Sequence, residues 1–238
     1  MPHRQLCGAL ILLGRKTRRT MKRRAGPLIA LLALGSLTAC AHTIPMKPTF
    51  VSPPATTQVP VVVGIYYSPG FGQREDKIWR MGDRWDFPLG QASVLVLEGA
   101  WRALFEGHTP VPALPPLPAG EPKVAAVIES TIEAFDFGLP FLKSGTYTAE
   151  ITYRFKLYAP DGTTLASWTV RGTGAKPGQF GFDFSRGPGD AAELAMQDAA
   201  TKLAAGFRDV PEVRAWLRTS GALSGWLPTW LATVLWRP

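Results

Sequence analysis

One stretch of the sequence alternates apolar and polar side chains along its whole length: GTYTAEITYRFKLY, residues 145–158. Successive side chains of a β-strand point to opposite faces of its sheet, so this strand has one apolar and one polar face. Such a pattern is typical of an antiparallel sheet that is covered on one side only. The stretch therefore predicts a sheet with one buried face and one face in water.

Strands are predicted on both sides of this stretch. The segment APDG at 159–162 has the residues of a turn, and Thr164–Thr173 predicts the returning strand. Two earlier strands are predicted over Pro60–Ser68 and Lys123–Phe137, which are rich in β-branched and aromatic residues. The four strands together predict a four-stranded, mainly antiparallel sheet.

Helices are predicted where apolar residues recur with helical spacing. One helix is predicted over Gln91–Gly107, and a second is predicted to begin at Asp190, with Glu193 completing a capping box. A short C-terminal helix is predicted from Pro211 to Leu217. The order β-α-β-β-β-α predicts a two-layer α+β fold with the two main helices on one face of the sheet.

The first 40 residues have the pattern of an export signal. Basic residues precede an apolar run at Pro27–Leu34, and small residues follow it; Met21 is the expected true start. The ending Leu37-Thr38-Ala39-Cys40 resembles the lipobox of bacterial lipoproteins. The resemblance implies that Cys40 carries the lipid (palmitate and related acyl chains) and becomes the first mature residue, and Ala41 after it favours the outer membrane.

The positive charge of the chain lies in this leader. Eight of the 26 basic residues and none of the 18 acidic residues fall in residues 1–40, so the net charge of +8 belongs to the leader alone. The remaining chain is formally neutral, which argues against nucleic acid as a partner. Both cysteines, Cys7 and Cys40, also lie in the leader, so no internal disulfide and no ordinary zinc site are expected.

The chain after the leader divides into three parts. Residues 41–59 hold four prolines without hydrophobic periodicity and predict a flexible tether. Residues 60–218 predict one α+β domain. Residues 219–238 form an apolar tail whose tryptophans predict either contact with a membrane surface or a cap packed on the domain: Trp226, Trp230 and Trp236.

A predicted loop after the first strand combines the residue types that dominate binding sites. Trp79, Arg80, Arg84 and Trp85 are the candidate partner-binding residues, because tryptophan and arginine are common in binding hot spots. The alternative is that Trp79, Trp85 and Phe87 fold inward and close the open end of the sheet.

Catalytic chemistry is weakly indicated. Glu129 and Glu133 share one strand face, and Asp83 and Asp86 lie close in sequence, so a hydrolase using either pair is the least favoured hypothesis. Carboxylates on the polar face of the sheet explain the first pair more simply. We expect no catalytic residue, no metal and no cofactor.

The features above resemble a class of bacterial envelope lipoproteins. The residues that carry the likeness are the lipobox and tether, VVVGIYY at 61–67, RWDFPLG at 84–90, Tyr147–Leu157 and the alanine-rich segment 191–207. They resemble the auxiliary lipoproteins of ABC-type envelope transporters and lipoproteins of the YajG and LptE kind. The resemblance implies a non-catalytic accessory protein in a Gram-negative cell envelope.

The expected function follows from anchor and resemblance together. We expect a lipid-anchored, periplasm-facing binding or adaptor protein with an envelope protein as partner. The alternative is a carrier module that binds a lipid or glycan between sheet and helices or under the loop at 79–87.

Overall fold

The computed structural model describes residues 41–47, 57–118, 123–140, 145–178 and 186–220. These residues contain eight strands and three helices. The strands are β1 (Ala41–Thr43), β2 (Val59–Tyr67), β3 (Asp76–Arg80), β4 (Asp83–Phe87), β5 (Phe105–Pro110), β6 (Val127–Gly138), β7 (Gly145–Tyr158) and β8 (Thr164–Gly178). The helices are α1 (Leu89–Leu104), α2 (Gly187–Gly206) and α3 (Pro211–Thr219).

The main sheet has the strand order β5-β2-β6-β7-β8. Strand β2 runs parallel to β5 and β6, whereas the pairs β6–β7 and β7–β8 are antiparallel. Both α1 and α2 cover one face, and aromatic side chains fill the space beneath them, with Trp101 edge-on to Phe155 at 5.6 Å. The predicted α+β class is confirmed.

The predicted count of four strands was wrong, because the main sheet has five. Most of its paired residues are antiparallel, as predicted, in the long β6–β7 and β7–β8 pairs. Helix α1 ends at Leu104 instead of Gly107, because Phe105 is already extended, with φ −120° and ψ 147°. The ring of Phe105 is buried and lies edge-on to that of Phe207, at a centroid distance of 5.2 Å. The chain that follows pairs with β2 as the fifth strand.

A second, three-stranded sheet has the order β1-β4-β3. The segment at 79–87 is therefore a β-hairpin and not a loop, with Met81 and Gly82 at φ 54° and 87° in its turn. Strand β1 runs parallel to β4, and Ile44 after it is buried. The first seven residues of the predicted tether are thus part of the fold.

Helix α2 lies directly on the backbone of β8. A Cβ atom on Gly172 would lie 2.0 Å from the carbonyl oxygen of Ala195, and one on Gly174 would lie 2.0 Å from that of Ala191. Strand β8 continues to Gly178, beyond the predicted end at Thr173. Glycine at positions 172 and 174 permits the close approach of α2.

The predicted capping box at the start of α2 was wrong. The helix begins at Gly187, with Pro188 in its first turn, so Asp190 already lies inside it. The carboxylate of Glu193 accepts the backbone N–H of Lys47 instead of returning to the helix terminus. This contact adds to the attachment of residues 41–47 to the body.

The proline-rich segment after β5 covers part of the polar face of the main sheet. Val111 is buried, and its methyl groups lie 2.9 and 3.3 Å from the position of a Cβ on Gly64. Farther along, the carbonyl oxygen of Pro115 would lie 3.0 Å from a Cβ on Gly162, at the β7–β8 turn. The opposite end of this face, where β6 ends and β7 begins, is left open.

Several predicted features lie outside the described residues. These are the start at Met21, the lipobox residues Leu37, Thr38 and Ala39, the lipid-attachment residue Cys40, and the tail tryptophans Trp226, Trp230 and Trp236. They stay predictions from the sequence.

Candidate functional site

Four charged side chains lie in a row across the open end of the polar face. Arg80 bonds to the carboxylate of Asp136, and Arg171 bonds to that of Glu150. Asp136 and Glu150 are direct partners in the β6–β7 register. We call Arg80, Asp136, Glu150 and Arg171 the charged row; its order from β3 to β8 is plus, minus, minus, plus.

A β-bulge places Asp136 in this row. Before the bulge the even-numbered residues of β6 face the helices, as the buried Ile128 and Ile132 do. The register shifts between Ile132 and Ala134, so that Phe135 and Phe137 face the core and Asp136 turns to the polar face. The bulge thereby sets two carboxylates side by side.

The row has no net charge, and its two carboxylates lie at directly paired positions of neighbouring strands. Like charges directly opposite each other on neighbouring strands are destabilising, and a guanidinium at each end offsets the repulsion. Side-chain exposure ranges from 38% for Glu150 to 68% for Asp136. Because water screens ion pairs at such sites, each contributes at most about 1 kcal/mol to stability. The row therefore contributes little to the stability of the fold.

The charged row lines a groove of about 720 Å³ that is open to solvent. Thr148 and Thr173 also line it, and both are exposed. The groove thus presents guanidinium donors, carboxylate acceptors and hydroxyl groups within one concave surface. We call it the polar groove. A polar segment carrying charges of both signs would be complementary to it.

The four residues predicted to bind a partner are divided by the structure. Arg80 lies in the polar groove, and Trp79 is 58% exposed on the β3–β4 hairpin. Arg84 makes two bonds to Asp86, at 2.9 and 3.0 Å. Trp85 is buried, stacked on His42 and packed against Phe137, because it lies on the inner face of the hairpin. It supports the hairpin from beneath.

The alternative of inward folding holds for part of the segment. Trp85 and Phe87 close the end of the core, and Phe87 packs on both Phe135 and Phe137 at about 5 Å. Trp79 points the other way because it occupies the opposite face of β3 from Ile78, which pairs with Trp85. The hairpin is thus apolar beneath and exposes one large aromatic side chain.

The carboxylates considered for hydrolysis are engaged with neighbouring side chains. Glu129 accepts the hydroxyl of Tyr158 at 2.8 Å, and Glu133 bonds to Arg154 across the strand pair. Asp83 lies 3.5 Å from His42. Burial and the hydrogen bond to Glu129 raise the pKa of Tyr158 to about 12. These groups form cross-strand pairs on the fold's surface.

The space between sheet and helices is occupied by side chains. Tyr153 and Ser93 share a buried hydrogen bond of 2.7 Å there, and burial raises the pKa of Tyr153. Nearby, Trp101 donates its indole N–H to the hydroxyl of Tyr67 at 3.3 Å, and burial raises the pKa of Tyr67 to about 12. The carrier hypothesis places a lipid or glycan between sheet and helices, and packed side chains occupy this part of the core.

His108 lies on β5. Its Nε2 atom is 2.6 Å from the carboxylate of Glu98 on α1, which Arg102 also approaches at 3.4 Å. The contact joins helix and strand across the β2-α1-β5 unit. Within the described ranges, no group of three His, Cys, Asp or Glu residues could hold a metal ion.

The two arginines of the polar groove come from separate strands, and the sequence placed only one of them in a candidate site. The alternation predicted that Glu150 and Arg171 face water, but it contained no information on which strand positions lie side by side. The β6 bulge, which brings in Asp136, has no signature in the alternation.

Among the described residues, no helix is long and apolar enough to cross a membrane.

Two solved structures resemble this fold, at low sequence identity. No family model and no curated protein matches the sequence. The structure is similar to protein XCC0632 from Xanthomonas campestris, described by the family model DUF330, with 15% identity, a TM-score of 0.44, and coverage of 79% of this chain and 100% of that chain. It is also similar to the PelC dodecamer from Paraburkholderia phytofirmans, with 13% identity, a TM-score of 0.32, and coverage of 66% and 96%. Neither likeness indicates a shared function at these scores.

Proposed function

We propose that this chain is a lipid-anchored, periplasm-facing binding or adaptor protein of a Gram-negative cell envelope, without catalytic activity of its own. The polar groove is the surface that takes its partner, and Cys40 is the point of lipid attachment. The partner is an envelope protein that offers a polar segment with charges of both signs. The outer membrane is the proposed location, on the strength of Ala41 after the lipobox.

The observation that carries this proposal is the charged row. Two carboxylates are held side by side, each paired with an arginine, in a groove where exposed ion pairs add little to stability. An arrangement that contributes little to folding and presents donors and acceptors together favours recognition. Complementary charges chiefly give specificity and speed of encounter, which suits an adaptor that must find one partner.

The proline-rich segment supports the location of the binding surface. It covers the polar face at β2 through Val111 and leaves open the end where β6 ends and β7 begins. Because the helices cover the other face, the polar groove is a concave part of the main sheet that a partner can reach. The leader and lipobox support the envelope location independently of the groove.

Site-specific photo-crosslinking in cells tests the groove. A photoreactive residue at Thr148, inside the groove, should capture one discrete envelope protein. The same residue at Ser167, on the same polar face but outside the groove, is the matched control and should capture little. Equal capture at both positions would contradict the proposal.

Charge exchange separates recognition from stability. In the double variant Glu150→Arg/Arg171→Glu the ion pair is restored in the opposite sense, so the melting temperature should stay close to that of the parent chain. The charges offered to a partner are inverted, so crosslinking from Thr148 should be lost. Retained crosslinking in this variant would show that the partner does not recognise the charges of the charged row.

The anchor has its own test. Cys40→Ser should abolish labelling by a palmitate analogue and release the chain into the soluble fraction. Unchanged labelling would overturn lipid attachment at Cys40 and would leave the groove experiment unaffected.

A further inference from the structure

The tip of the β3–β4 hairpin exposes two large apolar side chains. Trp79 is 58% and Met81 is 77% exposed, the largest exposed fractions among the large apolar residues that the structure describes. Met81 lies in the tight turn, with a positive φ of 54°, and Trp79 lies on β3 two residues before it. The backbone of the turn is therefore held in one conformation by the hairpin while its apolar side chains face outward.

Strand β1 enters the fold at this tip. Ala41 pairs with Arg84, and Arg84 pairs with Trp79 on the other side. Since β1 runs parallel to β4, the chain approaches Ala41 from the direction of the turn. Cys40 directly precedes Ala41, so the residue that carries the lipid has its Cα atom about 3.8 Å from the Cα atom of Ala41.

The arginines of the hairpin are already paired. Arg80 bonds to Asp136, and Arg84 bonds twice to Asp86, which is buried. What the tip offers outward is therefore mainly the indole of Trp79 and the thioether chain of Met81. Tryptophan is the residue most suited to the boundary between headgroups and acyl chains.

From this geometry we infer that Trp79 and Met81 enter the surface of the bilayer that holds the lipid on Cys40. The hairpin tip is a second point of membrane contact, beside the lipid, and it fixes how the body stands on the membrane. The inference rests on the proposed lipid attachment. Because the arginines are paired, contact is apolar in origin and should depend little on anionic lipid or salt.

Depth-dependent quenching tests this contact on the full-length chain purified from membranes. An environment-sensitive thiol dye is attached at Met81→Cys, and vesicles of phosphatidylcholine carry nitroxide groups at the headgroup or along the acyl chain. Insertion about 5–10 Å into the headgroup–acyl boundary predicts strong quenching and a blue-shifted emission at this position. Replacing part of the phosphatidylcholine by phosphatidylglycerol should leave the quenching unchanged.

The matched control is Leu95→Cys on α1, which is 56% exposed but lies on a helix of the body. The dye at position 95 should show the same emission intensity in vesicles with nitroxide as in vesicles without it. Labelling of the unsubstituted chain gives the background from any cysteine thiol that is not acylated. If Met81→Cys lowers the melting temperature, Trp79→Cys provides a second labelled position on the same tip.

The outcomes separate this inference from the proposed function, because mass spectrometry reads the acylation of Cys40 independently. If the chain is acylated and the dye at position 81 is not quenched, membrane contact at the tip is contradicted and lipid attachment at Cys40 is supported. Quenching at position 81 in a chain that is not acylated supports the tip and overturns the anchor. A photoreactive residue at position 81 that captures protein, with no quenching by lipid, assigns the tip to a protein partner and overturns the inference.

Discussion

Two buried serines on facing elements of the core differ in one hydrogen bond. Ser93 on α1 bonds to Tyr153 at 2.7 Å, whereas Ser130 on β6 has no hydrogen-bond partner among the residues that the structure describes. A buried hydroxyl that lacks a partner loses its bonds to water without replacement. The same amino acid therefore stabilises the fold at one position and opposes it at the other.

Alanine substitutions at these serines should have effects of opposite sign. Ser93→Ala leaves the Tyr153 hydroxyl buried without its partner and should cost about 1–2 kcal/mol. Ser130→Ala removes an unpaired hydroxyl and should leave stability unchanged or raise it by up to about 1 kcal/mol. Urea denaturation of the two variants measures both effects, and a comparable loss in each would contradict the assignment.

The partly buried Tyr67 beside Trp101 predicts that stability falls at alkaline pH. Burial raises the pKa of Tyr67 from 10.0 to about 12, so folding favours its neutral form. For a pKa raised by folding, the stabilisation is fully present below pH 10 and is lost as the pH rises toward 12. Tyr67→Phe cannot ionise, so its stability should fall less steeply across this window than that of the parent chain.

Urea unfolding of the parent chain and Tyr67→Phe at several pH values between 10 and 12 checks this expectation. The variant loses the hydrogen bond from Trp101 and should be the less stable chain at neutral pH. The difference between the two should then shrink toward pH 12. A difference that stays constant across the window would contradict the role of burial at Tyr67.

At the scale of elements, the contact between α2 and β8 depends on the absence of side chains. Gly172→Ala would bring a Cβ within 2.0 Å of the Ala195 carbonyl oxygen and 2.6 Å of the Ala199 nitrogen. Helix and strand must then separate, and the expected cost is about 3 kcal/mol. Gly206→Ala, at the end of the same helix, meets no atom within 4 Å and should be neutral or slightly stabilising.

Denaturant midpoints of these two alanine variants provide the comparison. Since both change glycine to alanine, differences in side-chain hydrophobicity cancel between them. Equal stability of the two variants would show that α2 moves away from β8 without cost, and would contradict close packing at Gly172.

The elements that the sequence predicted are those whose pattern is local. Strand β7 alternates over 14 residues, and its buried and polar positions are those expected. The last apolar positions of α2, such as Leu203, were likewise predicted from their spacing and are buried. In both cases one face of an isolated element already determines its environment.

The elements that were missed depend on partners distant in sequence. Strand β5 was predicted to continue a helix and β1 to be a tether, because each is short and is defined by the strand that it pairs with. The charged row depends on register and on the β6 bulge, which brings Asp136 opposite Glu150. Alternation fixes the face on which a side chain lies, but not its neighbour across the sheet.

At the scale of the whole molecule, the attachment of β1 changes how the chain can stand on a membrane. A flexible tether over residues 41–59 would allow the body to move freely above the bilayer. In the structure Ile44 is buried and Lys47 donates its backbone N–H to Glu193 on α2. The body therefore begins directly after the proposed lipid, and the segment between Lys47 and β2 links two parts of the fold instead of linking the fold to the membrane.

Two matched insertions distinguish these arrangements. A flexible Gly/Ser insert of about ten residues spans roughly 17 Å on average. Placed between Cys40 and Ala41, it lengthens the connection from lipid to body. Placed between Ser52 and Pro53, the same insert lies beyond β1 and leaves that connection unchanged. A freely mobile tether predicts the same effect for both.

Energy transfer from a dye at Ser167→Cys to an acceptor lipid in vesicles measures the height of the body. We expect transfer to fall with the insert after Cys40 and to stay at the parent value with the insert after Ser52, because β1 holds the body at the point where the chain leaves the lipid. An equal fall for both inserts would mean that β1 detaches on the membrane and that residues 41–59 act as one tether. The first result would also place the polar groove at a fixed height above the bilayer.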